Sequence, residues 1–593
     1  MILLIILILA LNYLSGYPVY RLFFKKQEAL QIIFVPQILG LFVLPAIFSL
    51  ITSLVNFDAA VMVSPMIIIV LSALSFFKVR KQETGNKSFD KRIIPIFLLL
   101  FVAVLLGALA ATHFVIISDP GFHMSASIDI LNSKTLPPDT SCLPGEKFAY
   151  SWFSHLSASI FSVYSGITIL TFYNFYGLYT FTLFFSISYI VLRSHLKSKN
   201  VILLGLSLML IYTIGFGSFF LHSAQSTAFP LLALFFYSIL LSLKNPDAQY
   251  KILAGFLAGS MIYIHALTFS FSLLILFSLV LYKLLDFKIQ SIKSAICYLA
   301  PLIISIPYTI FLSEKVSSLY LFEPLSGLHT IYNYINYVNI FALAIPFAVY
   351  RSIKSKDEIQ TVLAMCLITV LIFVNIFVMA RSPNIERNAI LLFFPTILIG
   401  LNYLESLDVK IKIGFSVLAI VLFLQPALVD INNTFFVDHG EASKGVYASY
   451  EYNISSWIKA NSGKDDAILA APFAVYTGLS ERKAVICNPD FLRGLNYNKE
   501  KLKSSFADLL TLYSNPSKEL IEKHKIKYAI FGPREKEFLQ KYDITPVNFA
   551  NSTTFEKAYQ AGDYQVYSIN KESLPEKTQL YTNFTSYSRW WEI

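Results

Sequence analysis

Charge is what this sequence has least of. Asp, Glu, Lys and Arg make up 14% of its 593 residues, where soluble proteins carry about 25%. Cysteine is scarce too: Cys142, Cys297, Cys366 and Cys487 form no CxxC pair and show no metal-site spacing. The chain also lacks the positively charged stretch that opens a secretory signal. MILLIILILALNYL comes first, and Arg21, Lys25 and Lys26 follow it. This order reads as a first membrane helix with Met1 outside. No internal repeat and no low-complexity tract is found. The formal charge of +10 resides mostly in short loops between apolar runs. Membrane topology produces that pattern, so nucleic-acid binding is not expected.

What is abundant is apolar sequence, at 55% hydrophobic residues, concentrated in 1–428. A helix needs about 20 apolar residues to cross the hydrocarbon core. Runs that meet or approach this are 2–20, 29–55, 59–77, 93–116, 170–192, 200–217, 224–243, 293–312, 334–350, 359–379, 388–404 and 411–428. The stretch 251–285 reads either as one long helix or as two short arms meeting near His265. Charge decides between them. If 251–285 crosses twice, the clusters at Arg21–Lys26, Lys78–Arg92, Arg193–Lys199, Lys244–Lys251, Lys283–Lys293, Arg351–Lys356 and Lys410–Lys412 all fall on the cytoplasmic side. The expectation is therefore about fourteen spans, with Met1, the 118–155 loop and the C-terminal region outside. The spans hold almost no acid or base, whereas ion-coupled transporters place such groups in the membrane.

The longest polar interruption is SDPGFHMSASIDILNSKTLPPDTSCLPGEKFAYSWFSH, residues 118–155. Asp119-Pro120 has the form of a helix start, with Asp as N-cap and Pro at the first helical position. Apolar residues then follow at helical spacing, and LPPD at 136–139 ends the helix. A second, amphipathic helix is expected from Phe148 to Val163. Two such helices lying in the interface would cover a cavity at the outer membrane surface. From Asp430 the composition becomes that of a soluble domain. Helices are expected over the YASYEYNISSWIKAN segment and near 499–514 and 517–524, with strands at 467–472, 484–487, 527–533 and 564–569. This alternation argues a small α/β domain.

The loop's D-P-x-x-H, its isoleucine-rich helix, TLPPD and YSWFSH resemble the GT-C-type multispanning glycosyltransferases. That superfamily includes oligosaccharyltransferase catalytic subunits, protein mannosyltransferases and aminoarabinose transferases. RSPNIERNAILLFFP (381–395) resembles the arginine-bearing outer turn before a late span in those enzymes. WIKAN, DDAILAAP, YAIFGP and YQVYSI resemble their exported domain. No WWD-type signature and no paired Asp-Glu opens the loop, and three spans precede residue 93. The domains expected are 1–92 as extra N-terminal helices, 93–429 as a GT-C-like membrane domain with its first large outer loop at 117–168, and 430–593 as an extracytoplasmic α/β domain.

The resemblance implies an integral plasma-membrane enzyme of the cell envelope. It would move a sugar, with inversion, from a polyprenyl-phosphate donor to a glycan, lipid or protein acceptor on the outer face. Such transfer needs a base for the acceptor and cations for the leaving phosphate. Asp119 is the position matching the family's acidic loop residue, although a helix cap explains an aspartate there equally well. His123, four residues on, shares its helical face. Arg381 and Arg387 are the candidate phosphate ligands, since a guanidinium grips phosphate bidentately; anchoring helix ends is their alternative role. His265, Asp129, His155 and Tyr150 are further substrate-binding candidates, and Tyr150 or Trp152 can stack on a sugar ring. Asp119, His123 and Asp129 include hard ligands at a spacing that is not diagnostic. No metal is assigned, and a divalent ion stays open. Cys142 and Cys487 both fall outside, so a disulfide between loop and C-terminal domain stays open as well. Two other functions compete: a flippase or transporter of lipid-linked glycans, which would show intramembrane charges or a repeat, and a non-catalytic subunit of a glycan-assembly complex.

Overall fold

A computed structural model describes residues 2–24, 28–77, 118–215, 224–245, 247–285, 289–315, 358–376, 385–431, 449–489, 497–549 and 552–578, with a few isolated positions besides. The expected spans at 93–116 and 334–350 lie outside the described residues almost entirely. The chain divides into two compact units. One comprises Met1–Thr112 and Ser151–Val437; the other comprises His113–Tyr150 and Asp438–Ile593.

The first unit is helical: α1 (Ile2–Phe23), α2 (Ala29–Leu54) and α3 (Phe57–Phe77), then, beyond the 118–150 segment, a second series. Helix α4 (Ser118–Ser133) belongs to the other unit. The series resumes with α5 (Phe153–Ser165), α6 (Ile169–His195), α7 (Lys199–Gly215), α8 (Ala224–Lys244), α9 (Ala248–Ser260), α10 (Ala266–Leu284), α11 (Ile289–Leu299), α12 (Ile306–Lys315), α13 (Glu358–Ile376), α14 (Ile385–Glu405) and α15 (Val409–Ile431). Among the described residues, seven helical stretches are long and apolar enough to cross a membrane.

The stretch 251–285 does break at His265. Helix α9 ends in a short 3-10 turn at Met261–Tyr263, and α10 starts after His265. The run 293–312 breaks as well, at Ala300–Ser305, because Pro301 lacks the N–H that a continuous helix uses. A neutral polar cluster joins the N-terminal helices to α6. The Asn12 amide donates to the Gln37 carbonyl at 2.8 Å and to the Tyr179 hydroxyl at 2.8 Å.

The second unit is built on a five-stranded sheet of β1 (Ala467–Leu469), β2 (Lys483–Ala484), β3 (Ile526–Phe531), β4 (Phe555–Ala561) and β5 (Tyr564–Ile569). The order is β2-β1-β3-β5-β4, with β2-β1-β3 parallel and β3-β5-β4 antiparallel. Helices α16 (Ser449–Asn461), α17 (Ala474–Ser480), α18 (Lys499–Ser514), α19 (Lys518–His524) and α20 (Pro533–Lys541) pack with it. β3 is central and buried at Ile526, Tyr528, Ala529 and Ile530, as a strand covered on both faces must be. β4 (FEKAYQA) buries only Phe555 at its start, so it carries no apolar signature in sequence.

Candidate functional site

In the second unit, the residues before 150 are bound to the α/β domain. Helix α4 reaches back to Ser118, so Asp119 lies in its first turn rather than at its cap; Pro120 is tolerated there because first-turn N–H groups have no helical partner. Asp119 is described by its backbone alone. One turn on, Gly121 and Met124 pack against α17 at Gly478. A Cβ on Gly478 would stand 2.4 Å from Met124 Cε and 3.2 Å from the Gly121 carbonyl oxygen, so only glycine allows α4 this close.

The loop after α4 then runs along β2. The Ala484 N–H donates to the Ser141 carbonyl at 3.1 Å and the Cys487 N–H to the Cys142 carbonyl at 2.9 Å. An exposed sheet edge is thereby covered. Cys142 and Cys487 form a disulfide, with Cα atoms 4.7 Å apart and a sequence separation of 345. The Ala149 N–H donates to the Tyr497 hydroxyl at 3.0 Å, and Lys501 pairs with Glu146 at 3.1 Å.

Asp129 is 6% exposed. Its Oδ2 accepts from the Ser141 N–H at 2.9 Å and from the Ser141 hydroxyl at 3.2 Å. Burial pushes its pKa up to about 7; the two Ser141 donors and Lys483 pull the other way, and Asp139 adds to the rise. Asp129 is thus the tie between α4 and the loop that follows. His123 is buried on α4, with its ring 6.1 Å from that of half-buried Tyr150. Phe122 and Phe148 stack beside them at 5.6 Å.

The remaining candidates fall in the first unit. The expected helix from Phe148 starts only at Phe153. Residues 148–150 belong to the second unit and 151–152 to the first. Ser151 donates to the Ile262 carbonyl at 2.7 Å, which fixes the entry to α5 against the break between α9 and α10. Trp152 packs on Tyr308 (4.8 Å) and Phe311 (5.2 Å), and Phe153 on Tyr263 (4.8 Å). His155 is fully buried on α5. His265 caps α10: its Nδ1 lies 2.7 Å from the Thr268 hydroxyl and accepts the Thr268 N–H at 3.3 Å. Arg381 lies outside the described residues. Arg387, in the first turn of α14, is described by its backbone alone.

The candidates therefore form two sets, Asp119, His123, Asp129 and Tyr150 in one unit and His155, His265 and Arg387 in the other. Sequence reasoning named the side chains of the first set but not their supports, Ser141 and Gly478, which carry no signal of their own. Among the described residues, no three His, Cys, Asp or Glu side chains gather in a metal-like group.

No protein-family profile and no curated protein matches the sequence. Solved structures do. ArnT from Cupriavidus metallidurans in the apo state superposes with a TM-score of 0.55 at 10% identity, over 82% of this chain and 100% of that one. The same protein bound to undecaprenyl phosphate gives 0.53 at 10% identity, over 81% and 99%. The chain shares the fold of ArnT, a GT-C-like membrane fold. The resemblance read from the loop motifs holds at the level of fold.

Proposed function

We propose that this chain is a membrane glycosyltransferase that moves a sugar from a polyprenyl-phosphate donor to an acceptor on the outer face of the membrane, with inversion at the sugar carbon. The observation that carries the reading is the superposition on the whole length of ArnT, together with the placing of Asp119 in the first turn of a helix mounted on the α/β domain. One of the ArnT structures holds undecaprenyl phosphate, which supports a lipid of that chemistry as the donor's carrier. The near absence of charge in the spans weighs against a transporter.

In the proposed step the Asp119 carboxylate takes the proton of the acceptor hydroxyl or amine as that atom attacks the anomeric carbon. The bond from that carbon to the phosphate oxygen breaks, and its electron pair leaves with the polyprenyl phosphate. Arg387 and Arg381 stabilise the charge gained by the phosphate. His123 orients the acceptor, with Tyr150 beside it. Asp129 and His265 hold the main-chain segments on which these groups are carried, and His155 packs within α5.

The test is a transfer assay on membranes with a panel of radiolabelled polyprenyl-phosphate sugars, comparing wild type with Asp119→Asn. Loss of a general base lowers turnover by about 10²–10⁴-fold. Transfer at the wild-type rate in the variant removes Asp119 from the mechanism, and no transfer by wild type from any donor removes the enzyme reading.

A further inference from the structure

In the second unit the strand order sends one connection from β1 to β2 and brings β3 in on β1's other side. Open α/β sheets hold ligands in the crevice at the carboxyl ends of strands where the order reverses in this way. Here the chain itself fills that crevice. Arg534, just after β3, is 1% exposed and pairs with Glu451 of α16, which is not exposed at all. The Tyr564 hydroxyl donates to Glu451 Oε1 at 2.9 Å, and the guanidinium lies 5.2 Å from the Phe473 ring centre.

A second carboxyl, Glu535, is buried beside this pair. Its Oε1 accepts the Ala471 N–H at 3.2 Å. Tyr476 faces it closely enough to favour its ionised form, yet among the described residues neither Glu535 Oε2 nor the Tyr476 hydroxyl completes a hydrogen bond of normal geometry. Two buried carboxyls share one guanidinium, and Glu451 has it. Charge in a low-dielectric interior then balances only if Glu535 carries a proton. Of the groups facing it, Glu451 of α16 repels its ionised form, and Tyr476 of α17, Tyr513 of α18 and Tyr564 of β5 are phenols that burial pushes further above their ordinary range; the Ala471 N–H and the Tyr476 hydroxyl favour the ionised form, and burial outweighs them.

Tyr476 lies two residues from Gly478 on the same seven-residue helix. Gly478 is where α4 rests. We propose that Glu535 is a positioning residue: its protonation sets the seat of α17 and, through Gly478, the seat of α4 and its first turn. The consequence for transfer rests on Asp119 acting as the base; the mechanical link does not. Burial pushes the pKa of Glu535 up to about 7, so the seat loosens as an ionised carboxylate demands solvent or a new partner.

The test is hydrogen–deuterium exchange on the purified full chain from about pH 5.5 to about pH 8.5, corrected for the intrinsic rate. In wild type, protection of 121–124 falls by at least about threefold as the pH rises through about 7. Glu535→Gln, a neutral isostere, keeps that segment protected throughout. Tyr476→Phe, which removes a group favouring the ionised form, moves the wild-type midpoint upward. Asp129 titrates in the same range, and its share is read separately at 129–133 and remains in Glu535→Gln. The same pH dependence at 121–124 in wild type and Glu535→Gln overturns the proposal, as does a flat wild-type profile. In the transfer assay, turnover falls above about pH 7 in wild type but not in Glu535→Gln, at unchanged donor KM. If Asp119→Asn transfers normally, the base reading fails while the exchange result still decides the link.

Discussion

Helices α4 and α5 come from one stretch of sequence, 118–165, but are held by different means. α4 is fastened by a disulfide, a buried carboxyl on Ser141, and main-chain pairing of its following loop to β2. α5 is fastened by rings, with Phe153 against Tyr263 and Phe42, and by one hydroxyl on a carbonyl. The boundary between compact units falls between Tyr150 and Ser151. Each fastening suits its side. In the α/β unit a covalent bond and hydrogen bonds to a carboxyl do the holding. Among membrane helices, packing and neutral hydrogen bonds remain, since lipid is as apolar as the side chains it would replace. A single loop in sequence is thus divided between two bodies.

The sharpest way to break that contrast is to remove the covalent fastening. Cys142→Ser with Cys487→Ser opens a link across 345 residues of sequence, and should lower the stability of the second unit by about 2–5 kcal/mol. Thermal unfolding followed with hydrogen exchange checks it. Peptides of α4 should exchange faster while those of α5 stay as they were. Equal loosening of α5 would show that the two helices are not separately held.

The next effect is that of pH. Asp129 and Glu535 titrate at about 7 in the folded chain, above their ordinary values of 3.8 and 4.5. The folded state keeps protons that the unfolded chain has released by then. Their contribution is full below about pH 4, falls as the pH rises, and is lost above about pH 7, by on the order of 2–4 kcal/mol apiece at most. Asp508 acts the other way: burial opposes its charge, but hydrogen bonds from His524 and Lys523 win and hold its pKa low, so its share is lost only in acid. Asp129→Asn with Glu535→Gln should flatten the melting temperature of the second unit between about pH 5 and about pH 7, where wild type declines. An equal decline in both would rule these carboxyls out as its source.

How much of this was legible beforehand follows from the kind of force involved. The break at His265 could be read because two arms, rather than one, place all the basic loop clusters on one side. The strands around Ile468, Ile530 and Val566 could be read because buried strands need apolar residues. β4 could not, being an edge strand with charged and polar side chains, and neither could the short α17. The Cys142–Cys487 pairing was open because only these two cysteines were expected outside. Gly478, Ser141 and Glu535 were invisible for another reason: each matters through one partner far off in sequence, and no local pattern records such a partner. The loop's division at Tyr150 was hidden likewise, since both halves are helical, aromatic and polar to similar degrees.

On the α5 side the expected effects are smaller. Phe153→Ala leaves a cavity among Phe42 and Tyr263, costing about 1–3 kcal/mol, below the range for aqueous cores because lipid offers rings no worse a medium. Unfolding of the purified chain in detergent measures it, and α4 should keep its protection. The smallest change is Ser151→Ala. The Ser151 hydroxyl serves the Ile262 carbonyl inside the 3-10 turn, where a helix has just ended and carbonyls lack their usual partners. Deleting it leaves that carbonyl unserved at a cost of about 1 kcal/mol, and both α5's first turn and 261–265 should exchange faster. Ser151→Thr, which keeps the hydroxyl, should restore both. If alanine and threonine behave alike, the rings alone hold α5, and the contrast with α4 becomes one of packing against covalent and polar ties.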